Sequence, residues 1–413
     1  MSRIVGSAFG AALAFAWAGA LAQPLSLEDA LRAAETHSPR LAAQRAMASS
    51  AAEQVGRAAE LPDPKLRFGI ENLPVTGPDR YQYNTDSMTM RSFGLMQDFP
   101  NRAKRDARNM RAERQVGVER AGIAAQRASL QRDVAAAWLE VHYGERAKEA
   151  LGRLARQFGL QIDAVASGVA RGRQSAAEAF TLRQAHEQAN DRVIEQERML
   201  ARGRIMLAAL VGDAAQRPLA AAPDTARLEH ATEHLVDRIA EHPQLRVFDE
   251  RQALARAEVD LARSTGKSDW GLEVGYGYRK PNFDNMLTVM VTLELPWQGE
   301  RRQDRDVASK LAELEQARAM QEDARRMHEA EVRGWLADFD AATRRIERFQ
   351  KILLPLARDR REAALAAYQG ARGELAPVLE AERAITETEL ALVQAESERG
   401  KAWANLNFLY SAP

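Results

Sequence analysis

The stretches WGLEVGYGY (residues 270–278) and MLTVMVTLEL (residues 286–295) alternate with a period of two. Trp270, Leu272, Val274, Tyr276 and Tyr278 fall on one face, and Gly271, Glu273, Gly275, Gly277 and Arg279 on the other. After a turn at Pro281–Asn285, Val289, Val291, Leu293 and Leu295 alternate with Met290, Thr292 and Glu294, until Pro296 ends the run. A period of two is the signature of a strand whose faces meet different surroundings. Segments of about ten residues are long enough to cross a bilayer when tilted. The aromatic face suits lipid and the small or charged face suits a watery lumen. The plainer alternative is a pair of soluble hairpins with one face packed on a helix.

The same pattern occurs earlier. Residues 65–73 place Leu66, Phe68 and Ile70 opposite Arg67, Gly69 and Glu71. Residues 88–99 place Phe93, Leu95 and Phe99 opposite Gly94 and Asp98. The surroundings recur too. Leu31, Pro39 and Leu41 return as Leu235, Pro243 and Leu245, a shift of about 204 positions. Pro100 matches Pro296, Trp138-Leu139 matches Trp335-Leu336, and Arg171-Gly172 matches Arg372-Gly373. The chain is therefore a duplication. Residues 23–211 form the first repeat and 228–413 the second, with 212–227 as a linking, equatorial segment.

Within each repeat the remainder reads as helix. Residues 25–60 carry Leu27, Ala30, Leu31 and Ala34 on one face, and Pro62 and Pro64 stop the run. From about 101 to 167 no proline interrupts a series that includes Leu130, Val134, Trp138, Val141, Leu151, Leu154, Phe158, Ile162 and Val165. At 1.5 Å per residue such a helix spans roughly 100 Å. A turn near 168–174 reverses it and a shorter helix returns to about 210. The second repeat has a long helix from about 302 to 369, a turn near 370–374 and a return helix to about 410. Val378, Ile385, Leu392 and Leu406 form a seven-residue seam on that return helix, broken only by Arg399. Pro355 predicts a kink in the long one.

Composition narrows the function classes. The first 22 residues have a positive start at Arg3, an apolar run and the small-x-small site Ala20-Leu21-Ala22, and so predict a cleaved signal peptide and export from the cytoplasm. The absence of cysteine excludes disulfides, thiolate metal sites and cysteine nucleophiles, and with them the acyl anchor of a lipoprotein. Lys+Arg and Asp+Glu both number 58, so charge gives no reason to invoke nucleic acid. No apolar run after the signal is long enough for a transmembrane helix. Four strands cannot close a membrane barrel, because an open edge in lipid strands backbone groups at several kcal/mol each. Three chains would supply twelve strands, and the helical hairpins would continue the barrel as a coaxial tube.

This order of elements resembles the TolC family of outer-membrane efflux proteins over nearly the whole mature chain. The tip segments Val169-Ala170-Arg171-Gly172 and Tyr368-Gln369-Gly370-Ala371-Arg372-Gly373, the second followed by Val378-Leu379-Glu380-Ala381, carry the resemblance with the duplication. A narrower resemblance is to the heavy-metal resistance-nodulation-division (RND) group, the CzcC- and CusC-like members. It rests on Pro62-Asp63-Pro64, Glu71-Asn72-Leu73-Pro74, Met88-Thr89-Met90, Gln97-Asp98-Phe99-Pro100 and Lys104-Arg105. The resemblance implies a mixed α and β fold. A homotrimer would share a twelve-stranded outer-membrane barrel continued by a periplasmic α-helical barrel. It implies a periplasmic adaptor and an inner-membrane RND pump as partners, outer-membrane lipid as surroundings, passive conduction and no enzymatic activity or cofactor.

The site residues follow at the tips. Gly172 and Gly373 suit the positive φ of a tight helix–helix turn. Arg171 and Arg372 can pair with carboxylates of a neighbouring hairpin and hold the resting mouth closed. By the family pattern Glu380 is the first candidate for an acidic ring at the pore constriction, with Glu374 and Glu178 beside it, although Pro377 stands where a second acidic residue often sits. On helices this charged, an ordinary solvated glutamate fits as well. His230 and His234 share a helix face without a supporting ligand cluster, so no metal site is assigned. Met88 and Met90 carry soft thioethers suited to facing copper or silver ions, but on a strand they are expected to pack against lipid or a neighbour. No catalytic constellation appears. The expected function is passive export of heavy-metal cations. A duct of the same build for drugs or secreted proteins, and a soluble periplasmic coiled-coil scaffold, remain as alternatives.

Overall fold

The computed structural model describes residues 23–171, 175–228, 238–370 and 372–410. The expected signal segment, Gly172, and the His230/His234 pair lie outside them. The chain opens with α1 (Leu27–His37) and α2 (Pro39–Ala58). The single helix expected over 25–60 is therefore two. Ser38 has extended backbone, its hydroxyl accepts from the N–H of Leu41, and Pro39 takes the first helical position. Serine and proline there are a start signal, not a continuation.

Next come β1 (Lys65–Glu71) and β2 (Met90–Phe99), then the hairpin of α3 (Arg102–Ala170) and α4 (Ala176–Val211). The second half follows with α5 (Pro243–Ser264), β3 (Trp270–Tyr278) and β4 (Met286–Leu293). It closes with a hairpin of α6 (Gln303–Arg348), α7 (Leu354–Gln369) and α8 (Leu375–Asn407). β1 ends before residue 73 because Asn72 turns to a φ of 54° and its carbonyl accepts the Thr89 hydroxyl. A π-helical turn, Phe349–Leu353, separates α6 from α7 and lies just ahead of Pro355. The proline ring cannot coexist with a regular i−4 bond, and the wider turn accommodates it.

The strands form one antiparallel sheet in the order β1-β2-β3-β4, so the two repeats meet at β2–β3. At its base, the Asn101 backbone N–H and side-chain amide both donate to Asp269 Oδ1, at 2.8 and 2.9 Å. Lys104 Nζ lies 2.5 Å from the other oxygen of Asp269. These bonds tie the start of α3 to the start of β3.

The helices hold two cores. The larger gathers Trp138, Leu139, Val134, Leu207, Trp403 and Leu406 with Leu25 and Ala30. Trp138 is fully buried, and its indole N–H donates to the carbonyl of Leu25 at 3.1 Å. Leu25 bridges to Leu219, so the segment after α4 is strapped to the residues ahead of α1 beside this core. The second core lies towards the tips and packs Leu154, Phe158, Val165 and Leu182 against Leu375, Val378 and Leu379. Each hairpin alone leaves one face uncovered; the two cover each other there.

Candidate functional site

Two regions concentrate the candidate chemistry: the sheet and the hairpin tips. In the sheet, register places Arg67, Gly94, Gly275 and Thr288 in one row and Leu66, Leu95, Val274 and Val289 in the next. Successive rows point to opposite faces. One face is apolar except for Arg91 and Gln97 near its two ends, and it is uncovered: Leu66 is 68% exposed and Val291 66%. Aromatic rings gather at its two ends. Phe99 stacks on Trp270 at 4.1 Å near the helices, and Tyr276 and Tyr278 stand at the far end. The other face carries Lys65, Arg67, Glu71, Asp98 and Glu273 among glycines, with Arg67 bridging to Glu71 at 2.9 Å and Glu273 at 3.3 Å. β1 and β4 are unpaired edges within the chain.

That arrangement matches a wall between lipid and water. A bilayer satisfies an apolar face with aromatic girdles at both ends, and water satisfies the charged one. Among the described residues no helix is long and apolar enough to cross a membrane. Of the two surroundings expected for Met90, lipid or a neighbour, the structure shows a neighbour: a Cβ on Gly277 would stand 2.5 Å from its sulfur, so it packs on β3 on the charged face. Met88 precedes β2 and is exposed.

At the tips, α3 ends at Ala170, and Arg171 Nε donates to the carbonyl of Ser167 at 3.0 Å. Neither Arg171 nor Arg372 makes an ion pair with a described residue of this chain. Gly373 differs from expectation. Its φ is not in the left-handed region; instead a Cβ there would meet the Ala367 methyl at 3.2 Å and backbone at 3.4 Å. Glycine at that position relieves a tight approach of the chain to the end of α7 and does not serve a positive φ.

Ser175 and Glu178 form a reciprocal cap at the start of α4. Ser175 Oγ accepts from the Glu178 N–H and a Glu178 carboxylate oxygen accepts from the Ser175 N–H, both at 3.2 Å. Glu374 precedes α8 with extended backbone and no side-chain cap. The fold brings Glu178 and Glu374 to one groove of about 310 Å³, with Ser175, Thr181 and Leu375. Glu380 stands apart, exposed and 3.9 Å from Arg360. Glu382, not singled out from sequence, is buried and 3.7 Å from Arg361. Its signal was its place on the buried side of α8, between Val378 and Thr386.

A third polar cluster sits beside the larger core. His242 is 1% exposed, and its Nδ1 accepts from the Gln244 N–H at 3.2 Å as the cap of α5. Its ring lies 4.6 Å from that of His328, which contacts Glu331 at 2.9 Å. Burial, with the charges of His328 and Arg132, pushes His242 down to about 3. The described residues hold no group of three His, Asp or Glu placed for a metal ion.

No protein-family model matches the chain, and no curated protein matches it. Solved structures do. A membrane protein from Pseudomonas aeruginosa superposes with a TM-score of 0.79 at 17% identity, covering 93% of both chains. The outer membrane protein VceC from Vibrio cholerae gives 0.75 at 18%, over 93% of this chain and 95% of its own. CusC, described for conformational changes in folding and transmembrane channel formation, gives 0.79 at 15%, over 94% and 92%. At such identities the likeness is one of fold: over about nine-tenths of its length the chain has the fold of these outer-membrane proteins.

Proposed function

We propose that the protein is the outer-membrane channel of a tripartite RND-type efflux system and conducts heavy-metal cations passively to the exterior. One observation carries the reading. A four-stranded sheet, apolar and uncovered on one side and charged on the other, has two unpaired edges and stands on helical hairpins roughly 100 Å long. Edge β1 of one copy pairing with β4 of the next satisfies both edges, and three copies close a barrel of twelve strands. The export signal expected over residues 1–22 delivers the chain, and with no cysteine the barrel itself anchors it.

Repeats 23–211 and 228–413 then supply one hairpin each to a periplasmic tube, with 212–227 at its equator. Arg171, Gly172, Arg372 and Gly373 form the mouth that meets the adaptor, and Glu380, Glu374 and Glu178 supply negative charge at the constriction. Carboxylate rings favour cations. The narrower reading, metal rather than drug or protein, rests on the sequence motifs between residues 62 and 105. The test is a deletion strain challenged with zinc, cobalt, nickel, copper, silver and hydrophobic drugs, with extraction of the protein in parallel. Metal sensitivity and a detergent-requiring trimer are expected. Release by salt alone overturns the channel, and sensitivity confined to drugs overturns the cargo.

A further inference from the structure

The charged face of the sheet carries four methionines in two tiers. In the lower tier, register aligns Lys65, Met96, Glu273 and Met290 in one row across all four strands. In the upper tier, Met90 stands opposite Glu71 and Met286 opposite Gly277. The sulfur of Met90 lies over Gly277, whose register partner on β4 is Met286. Four residues of β3 separate Glu273 from Gly277, so the tiers lie about 13 Å apart along the strand. Between them runs the row of Arg67, Gly94, Gly275 and Thr288, whose one long side chain, Arg67, is drawn to Glu273 at 3.3 Å.

Methionine is an odd choice for a wall that faces water. The other residues of this face are charged, hydroxylated or glycine, and the apolar side chains of the same strands all take the opposite face. A thioether adds no solubility; it offers a soft, neutral, flexible ligand that imidazole and carboxylate do not. The face has no histidine or cysteine, the groups that hold zinc. Its carboxylates are engaged: Glu273 by Arg67, and Asp98 by Lys65 at 2.7 Å. What remains for a passing ion is two thioethers per tier from each chain, a weak set suited to transit, since a conduit that binds tightly stops flow.

We propose that Met90 with Met286, and Met96 with Met290, form two successive contact stations for soft monovalent cations, Cu(I) and Ag(I), in the lumen of the barrel. This rests on the channel reading, because it needs the charged face to line a pore. The variant is M90L/M96L/M286L/M290L, which keeps side-chain size and removes the sulfurs.

The full chain is reconstituted in planar bilayers with nitrate salts, and potassium current is recorded before and after micromolar silver nitrate. Silver is expected to lower the wild-type current at least threefold, zinc nitrate to leave it unchanged, and the leucine variant to ignore both. Equal silver inhibition of the variant overturns the stations while leaving the channel standing. Absence of any potassium current defeats the channel reading itself. A second measurement needs no current. Peptide mass spectrometry follows sulfoxide formation by tert-butyl hydroperoxide in detergent, with and without silver. The four sheet methionines are expected to oxidise at least threefold more slowly with silver, and Met206 and Met327, exposed on helices, at an unchanged rate. Equal protection of all six, or of none, overturns the proposal.

Discussion

The sheet and the helical hairpins obey opposite rules of exposure. In the helices the large apolar side chains lie inside: Trp138, Phe158, Leu182 and Leu207 are fully buried, and charged pairs such as Arg153–Glu389 run across the outside. In the sheet the large apolar side chains lie outside and no other element covers them. One chain cannot follow both rules in one solvent. An uncovered apolar face of this size in water is an aggregation surface, and in lipid it is the ordinary outer wall of a barrel. On the channel reading proposed above, the difference divides the molecule between two solvents at about Pro100 and Asp269, where the strands join α3 and α5.

The largest expected effect tests the watery half. Trp138→Ala removes a fully buried indole and its bond to Leu25, at a cost of about 3–5 kcal/mol. Trp297→Ala, at a side chain 83% exposed beside the sheet, should leave the helical body intact. Denaturant titration of the detergent-solubilised protein, followed by helical circular dichroism, checks both. A large loss at Trp297 would mean that the sheet is packed on the helices and that the division is wrong.

The next contrast lies within the sheet. Val289 is 61% exposed on the apolar face, and Thr288 beside it points to the charged one. Val289→Arg should cost about 2–4 kcal/mol if its position is at mid-bilayer, and Thr288→Arg about 1 kcal/mol or less. The amount of folded, heat-modifiable protein in the outer-membrane fraction gives the comparison. Equal tolerance of the two arginines would sink the lipid assignment.

The two regions were also legible to different degrees. The strands were readable because a period of two leaves every second residue in a different solvent, so composition itself reports the face. Parity within a strand puts Met90 on the face of Gly94 and Asp98, but it does not give register between strands, which is why the row of Met96, Glu273 and Met290 was invisible. In the helices the long periodic runs stood out, and the break at Ser38 did not: one apolar face continues through it, although Ser38-Pro39 is itself a start signal. At the tips, Gly373 looked like a positive-φ turn because glycine serves both that need and close approach, and only the Ala367 contact separates them. Glu382 escaped notice because a buried carboxylate and a solvated one look alike in a charged helix.

A smaller effect concerns the buried histidine that caps α5. In an unfolded chain His242 titrates near 6.5, and in the folded chain burial pushes it down to about 3. The unfolded state then takes up the proton first. Stability is full above pH 6.5 and falls as pH drops from there towards 3. At pH 5 the loss is about 2 kcal/mol. His242→Asn keeps an acceptor for the Gln244 N–H and removes the titration, so its melting temperature should change less between pH 7.5 and 5 than that of the wild type. Parallel curves would mean that another group governs the acid side.

The smallest stability effect is expected at the tips, where function and folding part company. Glu380 and Arg360 are exposed and 3.9 Å apart, a surface pair contributing under about 1 kcal/mol. Glu380→Gln should therefore melt with the wild type. Glu178→Gln keeps an acceptor for the Ser175 N–H, and it too should fold normally, at a cost of only a few tenths of a kcal/mol through the weaker neutral cap. If these carboxylates ring the constriction, the cation-over-anion permeability ratio drops in both variants, several-fold at Glu380, where charge from each of three chains is lost at once. The ratio comes from reversal potentials in a potassium nitrate gradient. An unchanged ratio at Glu380 with a reduced one at Glu178 would move the constriction from the flank of α8 to the groove between the two hairpin tips. An unchanged ratio in both would leave the carboxylates as helix caps and solvated surface.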